Sequence, residues 1–196
     1  MEKIRSILQS SIDTKQRIEN DPNLIEQIEQ SARSIYHAFQ NKKRLYLCGN
    51  GGSAADAQHL AAEFSGRFYT DRKALPAEAL HTNTSYLTAV ANDYSYDVVY
   101  ARLVEGICEP GDVLIGISTS GNSANVVNAF EAARKLGVTT IGLTGDQGGK
   151  MRELSDHWLG MPSSDTPRIQ EAHITVGHII CQLVEEWIFL EQQPIG

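Results

Sequence analysis

The chain has 196 residues, 41% of them hydrophobic and 21% charged, with 17 Lys and Arg against 24 Asp and Glu for a formal net charge of −7. That length suits one well-buried core, and two independent domains would be cramped. The acidic balance argues against a general nucleic-acid binder, which needs clustered Lys and Arg, but leaves room for a small anion held by backbone N–H groups. Cys48, Cys108 and Cys181 are odd in number and widely spaced, so neither a disulfide framework nor a Cys-rich zinc module is expected. Cys48 and Cys181 lie in apolar runs and read as buried small hydrophobes. The opening MEKIRSILQS is unlike a signal peptide, and no apolar stretch is long enough to span a bilayer. A cytoplasmic protein with no membrane partner is expected.

The first forty residues are helical in character. Ile4, Leu8 and Ile12 share one face, and Leu24, Ile25, Ile28, Ile35 and Phe39 form a second apolar series. Asp21 followed by Pro22 reads as the cap and first turn of the second helix. From residue 43 short apolar runs alternate with helical patterns. The runs predict strands over 44–48, 77–80, 113–117, 139–143 and 157–159. Helices are predicted over 54–64, 86–91, 98–107, 124–136 and 149–154, with one long helix over 168–190. Such alternation predicts a single α/β domain over 1–196, a central parallel sheet flanked by helices on both faces as a three-layer flavodoxin-like sandwich. Residues 1–42 form an N-terminal helical hairpin and 43–196 the α/β core with the C-terminal helix. Ligands in such sheets bind beyond the carboxyl ends of the strands, so the loops that follow the strands are where a site is expected.

After the first strand comes Gly49-Asn50-Gly51-Gly52-Ser53-Ala54, whose glycines permit close backbone approach to a ligand and whose Ser53 is suited to cap the next helix. It also fits the dinucleotide pattern G-x-G-x-x-A. The acidic residue expected at the end of the second strand is missing, however, because that strand runs into Leu80-His81-Thr82. After the third strand, Ser118-Thr119-Ser120-Gly121-Asn122-Ser123 places four hydroxyls and a glycine where a helix begins. Unpaired N–H donors and the positive end of the helix dipole make such a loop a phosphate site. A capping turn alone needs only one hydroxyl. No G-x-x-x-x-G-K-[ST] is present, which disfavours nucleoside triphosphate hydrolysis. The loop Thr144-Gly145-Asp146-Gln147-Gly148-Gly149 reads only as turn chemistry.

The helix after the first loop carries Asp56, Gln58, His59 and Glu63, and the C-terminal helix carries Gln170, Glu171, His173 and His178. His59 and Glu63 are four apart and share a face. Gln170 and His178 are eight apart, a rise of about 12 Å and an offset of about 80°, wide for two ligands of one ion but within reach of long side chains. Two uses are open. A carboxylate with an imidazole can move a proton between the carbons of an aldose–ketose pair. Alternatively His59, Glu63, Gln170 and His178 can hold a divalent metal that polarises a carbonyl. Spacing alone does not choose.

The segments GNGGSAADAQH (49–59), Gly66-Arg67-Phe68, Ala91-Asn92-Asp93, Ser118 to Ser123 and Arg168-Ile169-Gln170-Glu171 occur here in order and together resemble the phosphoheptose isomerases of the sugar isomerase, or SIS, fold. The resemblance covers nearly the whole chain. It implies conversion of sedoheptulose 7-phosphate to D-glycero-D-manno-heptose 7-phosphate, a first step toward heptose nucleotides for bacterial surface glycans. It also implies a homotetramer built through the N-terminal helices, with one zinc per site and active sites at subunit interfaces. By position, Glu63 and His178 resemble the acid–base pair, and His59, Glu63, Gln170 and His178 the metal ligands. Asn50, Gly51, Gly52, Ser53, Asn92, Asp93, Ser118, Thr119, Ser120, Ser123 and Gln170 resemble the substrate contacts. Pro167 departs from relatives that carry an aspartate near the sugar. The main alternative is a non-enzymatic SIS protein that binds the replication initiator or senses a sugar phosphate. Relatives that bind the initiator lack the Glu and His that Glu63 and His178 match.

Overall fold

The computed structural model describes residues 1–190, so the last six residues of the expected domain lie outside the described part. In chain order the elements are α1 (Glu2–Glu19), α2 (Pro22–Gln40), β1 (Leu45–Gly49), α3 (Gly52–Ser65), β2 (Ala77–Ala79), α4 (Thr84–Asp93), a 3-10 turn (Tyr96–Val98) and α5 (Val99–Ile107). They continue with β3 (Val113–Ile117), α6 (Ala124–Leu136), β4 (Thr139–Thr144), α7 (Met151–Leu154), β5 (His157–Gly160) and α8 (Thr166–Phe189). The five strands form one sheet in the order β2-β1-β3-β4-β5, and each pairing is parallel.

Alternation along the strands divides the core into two. Leu45, Leu47, Val113, Ile115 and Ile117 face a cluster built with α1, α2, α3 and α8. Tyr46, Cys48 and Leu114 face the opposite cluster, built with α4, α5, α6 and α7. This is the expected three-layer sandwich, because strands buried on both faces must be apolar at successive positions. Asp21 caps α2 as expected, its carboxylate accepting from the N–H groups of Asn23 and Leu24 at 3.1 and 3.2 Å, with Pro22 in the first turn. Such a cap contributes about 1 kcal/mol. All three cysteines are free and buried. Burial raises the Cys108 thiol to about 12, with Asp112 adding to the shift, and pushes Cys48 and Cys181 higher still.

Two local expectations fail for identifiable reasons. Ser53 does not cap α3: it is buried inside the helix, and the cap position falls to Gly51 at φ 56° with no side-chain cap bond. α7 begins at Met151 rather than at residue 149, because Gly148 and Gly149 take φ of 74° and 53°, outside helical space.

Candidate active site

The chain reverses its direction across the sheet between β1 and β3, where β1 leads outward to β2 while β3 leads the other way to β4. The crevice at the carboxyl ends of such a strand pair is where α/β sheets bind ligands. Both loops singled out in the sequence open there. They are joined by a side-chain amide pair: Asn50 Nδ2 donates to Asn125 Oδ1 and Asn125 Nδ2 donates to Asn50 Oδ1, each at 2.9 Å. The Tyr96 hydroxyl also donates to Asn50 Oδ1 at 3.1 Å. Neither Asn125 nor Tyr96 was legible as a site residue. Asn125 follows the serine loop inside a helical pattern, and only its burial beside Asn50 reveals its part.

The serine loop is built from within and propped from behind. Ser118 is buried, and its hydroxyl shares hydrogen bonds with Ser123 at 2.9 Å and Ser120 at 3.5 Å. Ser123 occupies the cap position of α6, yet its hydroxyl makes no cap bond. The first turn of that helix therefore keeps donors without a side-chain partner, as an anion site requires. Gly121 adopts φ 65°, and a Cβ there would lie 1.9 Å from the Gly148 carbonyl oxygen, so no other residue fits. The 144–149 turn, which the sequence showed only as turn chemistry, supports this loop. Gly145 N–H donates to the Thr119 carbonyl at 3.0 Å, and Lys150 N–H donates to Asn122 Oδ1 at 3.0 Å.

Three of the four expected donors on α3 and α8 converge. His59 Nε2 and His178 Nε2 lie 2.9 Å apart, and His59 Nε2 stands 3.3 Å from Glu63 Oε1. One donor atom from each residue falls within 4.8 Å of the others. Asp56 lies in the same field: burial raises its carboxyl above the ordinary value, opposed by His59 and His178. The helices touch closely here, for a Cβ on Gly177 would meet Leu60 Cδ1 at 2.6 Å, and these two residues adjoin His178 and His59. Gln170 enters at the other end of the same helix pair. A Cβ on Gly52 would meet its Nε2 at 2.7 Å, which places the amide over the start of α3.

Glu171 and His173 have other partners. Glu171 pairs with Arg168 at 2.5 Å, and the same guanidinium donates to the Ile7 carbonyl at 2.9 Å, fastening α1 to α8. His173 is fully buried and bonds the Thr144 carbonyl at 3.0 Å. Asn92 and Asp93 lie exposed at the end of α4, where Asn92 Nδ2 donates to Asp93 Oδ1 at 2.9 Å. A buried ion pair between Arg72 and Glu185, with no counterpart in the sequence reading, lies behind the donor cluster.

The donor set suits a metal such as zinc. Two ligands of a tetrahedral zinc stand about 3.3 Å apart, and the separations of 2.9 and 3.3 Å at His59 are of that order. Two imidazoles and a carboxylate are also the ligand chemistry zinc takes. Without an ion, the contact between two Nε2 atoms requires one to carry the proton and the other to accept it.

The model of the SIS domain family matches residues 8–145. A phosphoheptose isomerase of Clostridium acetobutylicum is 52% identical over 189 residues, 96% of this chain and 96% of that protein. One from Aneurinibacillus thermoaerophilus is 52% identical over 186 residues, 95% of this chain and 94% of that protein. Among solved structures, the phosphoheptose isomerase of Neisseria gonorrhoeae superposes with a TM-score of 0.88 at 42% identity, covering 94% of this chain and 98% of that one. The corresponding figures for the Francisella tularensis phosphoheptose isomerase are 0.89 and 33%, over 94% and 97%. By sequence and by fold, the chain belongs to the SIS domain family and, within it, to the phosphoheptose isomerases.

Proposed function

We propose that this protein is an aldose–ketose isomerase that converts D-sedoheptulose 7-phosphate to D-glycero-D-manno-heptose 7-phosphate through an enediol(ate), the first step toward activated heptoses for bacterial surface glycans. The observation that carries this reading is the meeting of Glu63 and His178 in one cluster with His59, on two helices that run past a hydroxyl-lined anion loop. It is supported by the half identity, over nearly full length, to proteins named for that activity.

In this reading the phosphate sits at the start of α6, held by Ser120, Ser123 and Thr119, with Ser118 supporting them from below. Asn50, Gly51, Gly52, Ser53, Asn92, Asp93 and Gln170 contact the sugar. Gly52 and His59 are seven residues apart, about 10 Å along the helix, so a substrate anchored at the strand ends must be long to reach the proton-transfer groups. A seven-carbon chain suits that span better than a triose. Glu63 takes the proton from the carbon beside the ketose carbonyl and returns it to its neighbour, while His178 serves the two oxygens. His59, Glu63 and His178 would hold one zinc, and the ion when bound supplies Lewis-acid polarisation of the substrate carbonyl. A carboxylate has two oxygens, so one can ligate while the other handles the proton.

A cytoplasmic homotetramer is part of the same proposal. α1 leaves Ile4, Ile7, Leu8 and Ile12 exposed, an apolar stripe that one protomer does not cover. No described helix is long and apolar enough to cross a membrane.

The direct test is incubation with sedoheptulose 7-phosphate, with and without zinc, followed by product identification. The aldose heptose 7-phosphate is expected, and absence of turnover under both conditions would overturn the assignment. Elemental analysis should find about one divalent metal per site, and full activity in chelator with no metal present removes the ion from the mechanism. The phosphate loop has its own test. Ser120→Ala combined with Ser123→Ala should raise KM at least about tenfold, because hydrogen bonds to a charged group contribute about 1.5–3 kcal/mol each. An unchanged KM would assign the loop another role.

A further inference from the structure

Helix periodicity sets His59 against Glu63, but nothing within α3 sets either against His178, which lies 119 residues beyond His59 in sequence. A brace of the required kind lies further along the two helices. Arg72 Nε and Glu185 Oε2 are 2.6 Å apart, and each side chain is only 3% exposed. The arginine fork also turns toward α3: Nη2 donates to the Glu63 carbonyl and Nη1 to the Phe64 carbonyl, both at 2.8 Å. A cation bonded to the last carbonyls of a helix complements both their open acceptors and the helix dipole.

Glu185 in turn accepts from the N–H groups of Phe68, Tyr69 and Thr70 at 3.2, 2.8 and 3.0 Å, fixing the segment that leaves α3. Burial works to raise its pKa, and these N–H donors with Arg72 hold it below the ordinary value instead. Phe68, placed by that bond, brings its ring centroid 5.6 Å from that of His178. Glu185 and His178 are seven residues apart on α8 and so lie on the same face.

We propose that Arg72 and Glu185 are positioning residues for the isomerisation, a brace that sets the Glu63 carboxylate against the His178 imidazole by tying the Glu63 backbone to the helix that carries His178. The inference rests on the acid–base reading of Glu63 and His178. Stability alone does not account for the pair, since well-packed apolar residues often replace a buried ion pair without loss. An apolar pair cannot hold the Glu63 and Phe64 carbonyls on one side and three N–H groups on the other.

Two variants test it. Arg72→Lys keeps the charge and removes the fork, whereas Glu185→Gln keeps the volume and an acceptor oxygen but removes the charge. In protein with the parent's circular dichroism and oligomeric state, kcat should fall about 10- to 100-fold, the scale of a misplaced catalytic group. KM for sedoheptulose 7-phosphate should stay within about twofold, because the 118–123 loop is untouched. The pH profile of kcat should be displaced as well. Folded variants with parental kcat and pH profile would overturn the brace, as would a loss of kcat that only follows the unfolded fraction. If Arg72→Lys does not fold, the same readings on Glu185→Gln decide. Inactive parent protein overturns the proposed function itself, and active parent with unaltered variants overturns the brace alone.

Discussion

Replacing Glu63 by Gln should lower turnover of sedoheptulose 7-phosphate by about a thousandfold or more while leaving KM nearly unchanged. The substitution keeps the shape of the side chain, so packing between α3 and α8 should survive. What it removes is the oxygen basicity needed to take a proton from carbon. A positioned general base contributes roughly 100- to 10,000-fold, and the base proposed here, Glu63, has Oε1 3.3 Å from His59 Nε2, with His178 in the same cluster. On the proposed reading the phosphate is held elsewhere, at the start of α6, so the loss should fall on kcat. His178→Ala should produce a loss of similar size. The two together should cost little more than either, because groups acting in one step are not additive. The measurement is steady-state kinetics on variants with the parent's circular dichroism and oligomeric state. Near-normal turnover by folded Glu63→Gln would end the acid–base assignment, whatever the identity of the substrate.

The sequence announced these roles unevenly, and the reasons are physical. β3 and α6 lie at the predicted residues because each is bounded by a strong local signal. Val113–Ile117 is an unbroken apolar run, and α6 stops at Gly137, whose φ of 73° is the left-handed cap a helix end favours. The pairing of His59 with Glu63 was legible for the same reason, being a property of one helix. His59 with His178 was not, since which face of α3 meets which face of α8 depends on the whole sheet between them. Gln170 shows the limit in another way: eight residues from His178, it was a candidate for the same ion, and the fold seats its amide over Gly52. Arg72 and Glu185 left no trace in the pattern. Arg72 stands beside Lys73 in a polar loop and Glu185 beside Glu186, and only tertiary burial makes them a pair. Local grammar thus reveals the groups proposed to bind and react, while the groups proposed to hold them in register emerge only from packing.

His173 leads to an expectation about stability. Its ring is fully buried; Nε2 bonds the Thr144 carbonyl at 3.0 Å, and Nδ1 is buried with no hydrogen-bond partner among the described residues. Nε2 must therefore carry the hydrogen, and a second proton would create an unpaired buried charge. Burial accordingly lowers the pKa to about 4, with the bond to Thr144 opposing the shift. In the unfolded chain the same imidazole titrates near its ordinary value of about 6.5. Between these values the unfolded state binds a proton that the folded state refuses. The contribution is thus fully present above about pH 6.5 and is lost progressively as pH falls toward 4. For one such group the loss amounts to about 2 kcal/mol by pH 5. His81 and His157 are also lowered by burial and add slopes of the same sign, so the informative quantity is a difference between proteins. His173→Gln retains an N–H able to reach the Thr144 carbonyl and cannot titrate. Denaturant unfolding at matched protein concentration should show the parent losing about 2 kcal/mol more than this variant between pH 7.5 and 5. The consequence reaches the site, because His173 is the bond that fastens α8, and with it Gln170 and His178, to the end of β4. Parallel pH–stability curves for the two proteins would show that the buried imidazole accepts its second proton at little cost, and that α8 is held in acid by something other than this bond.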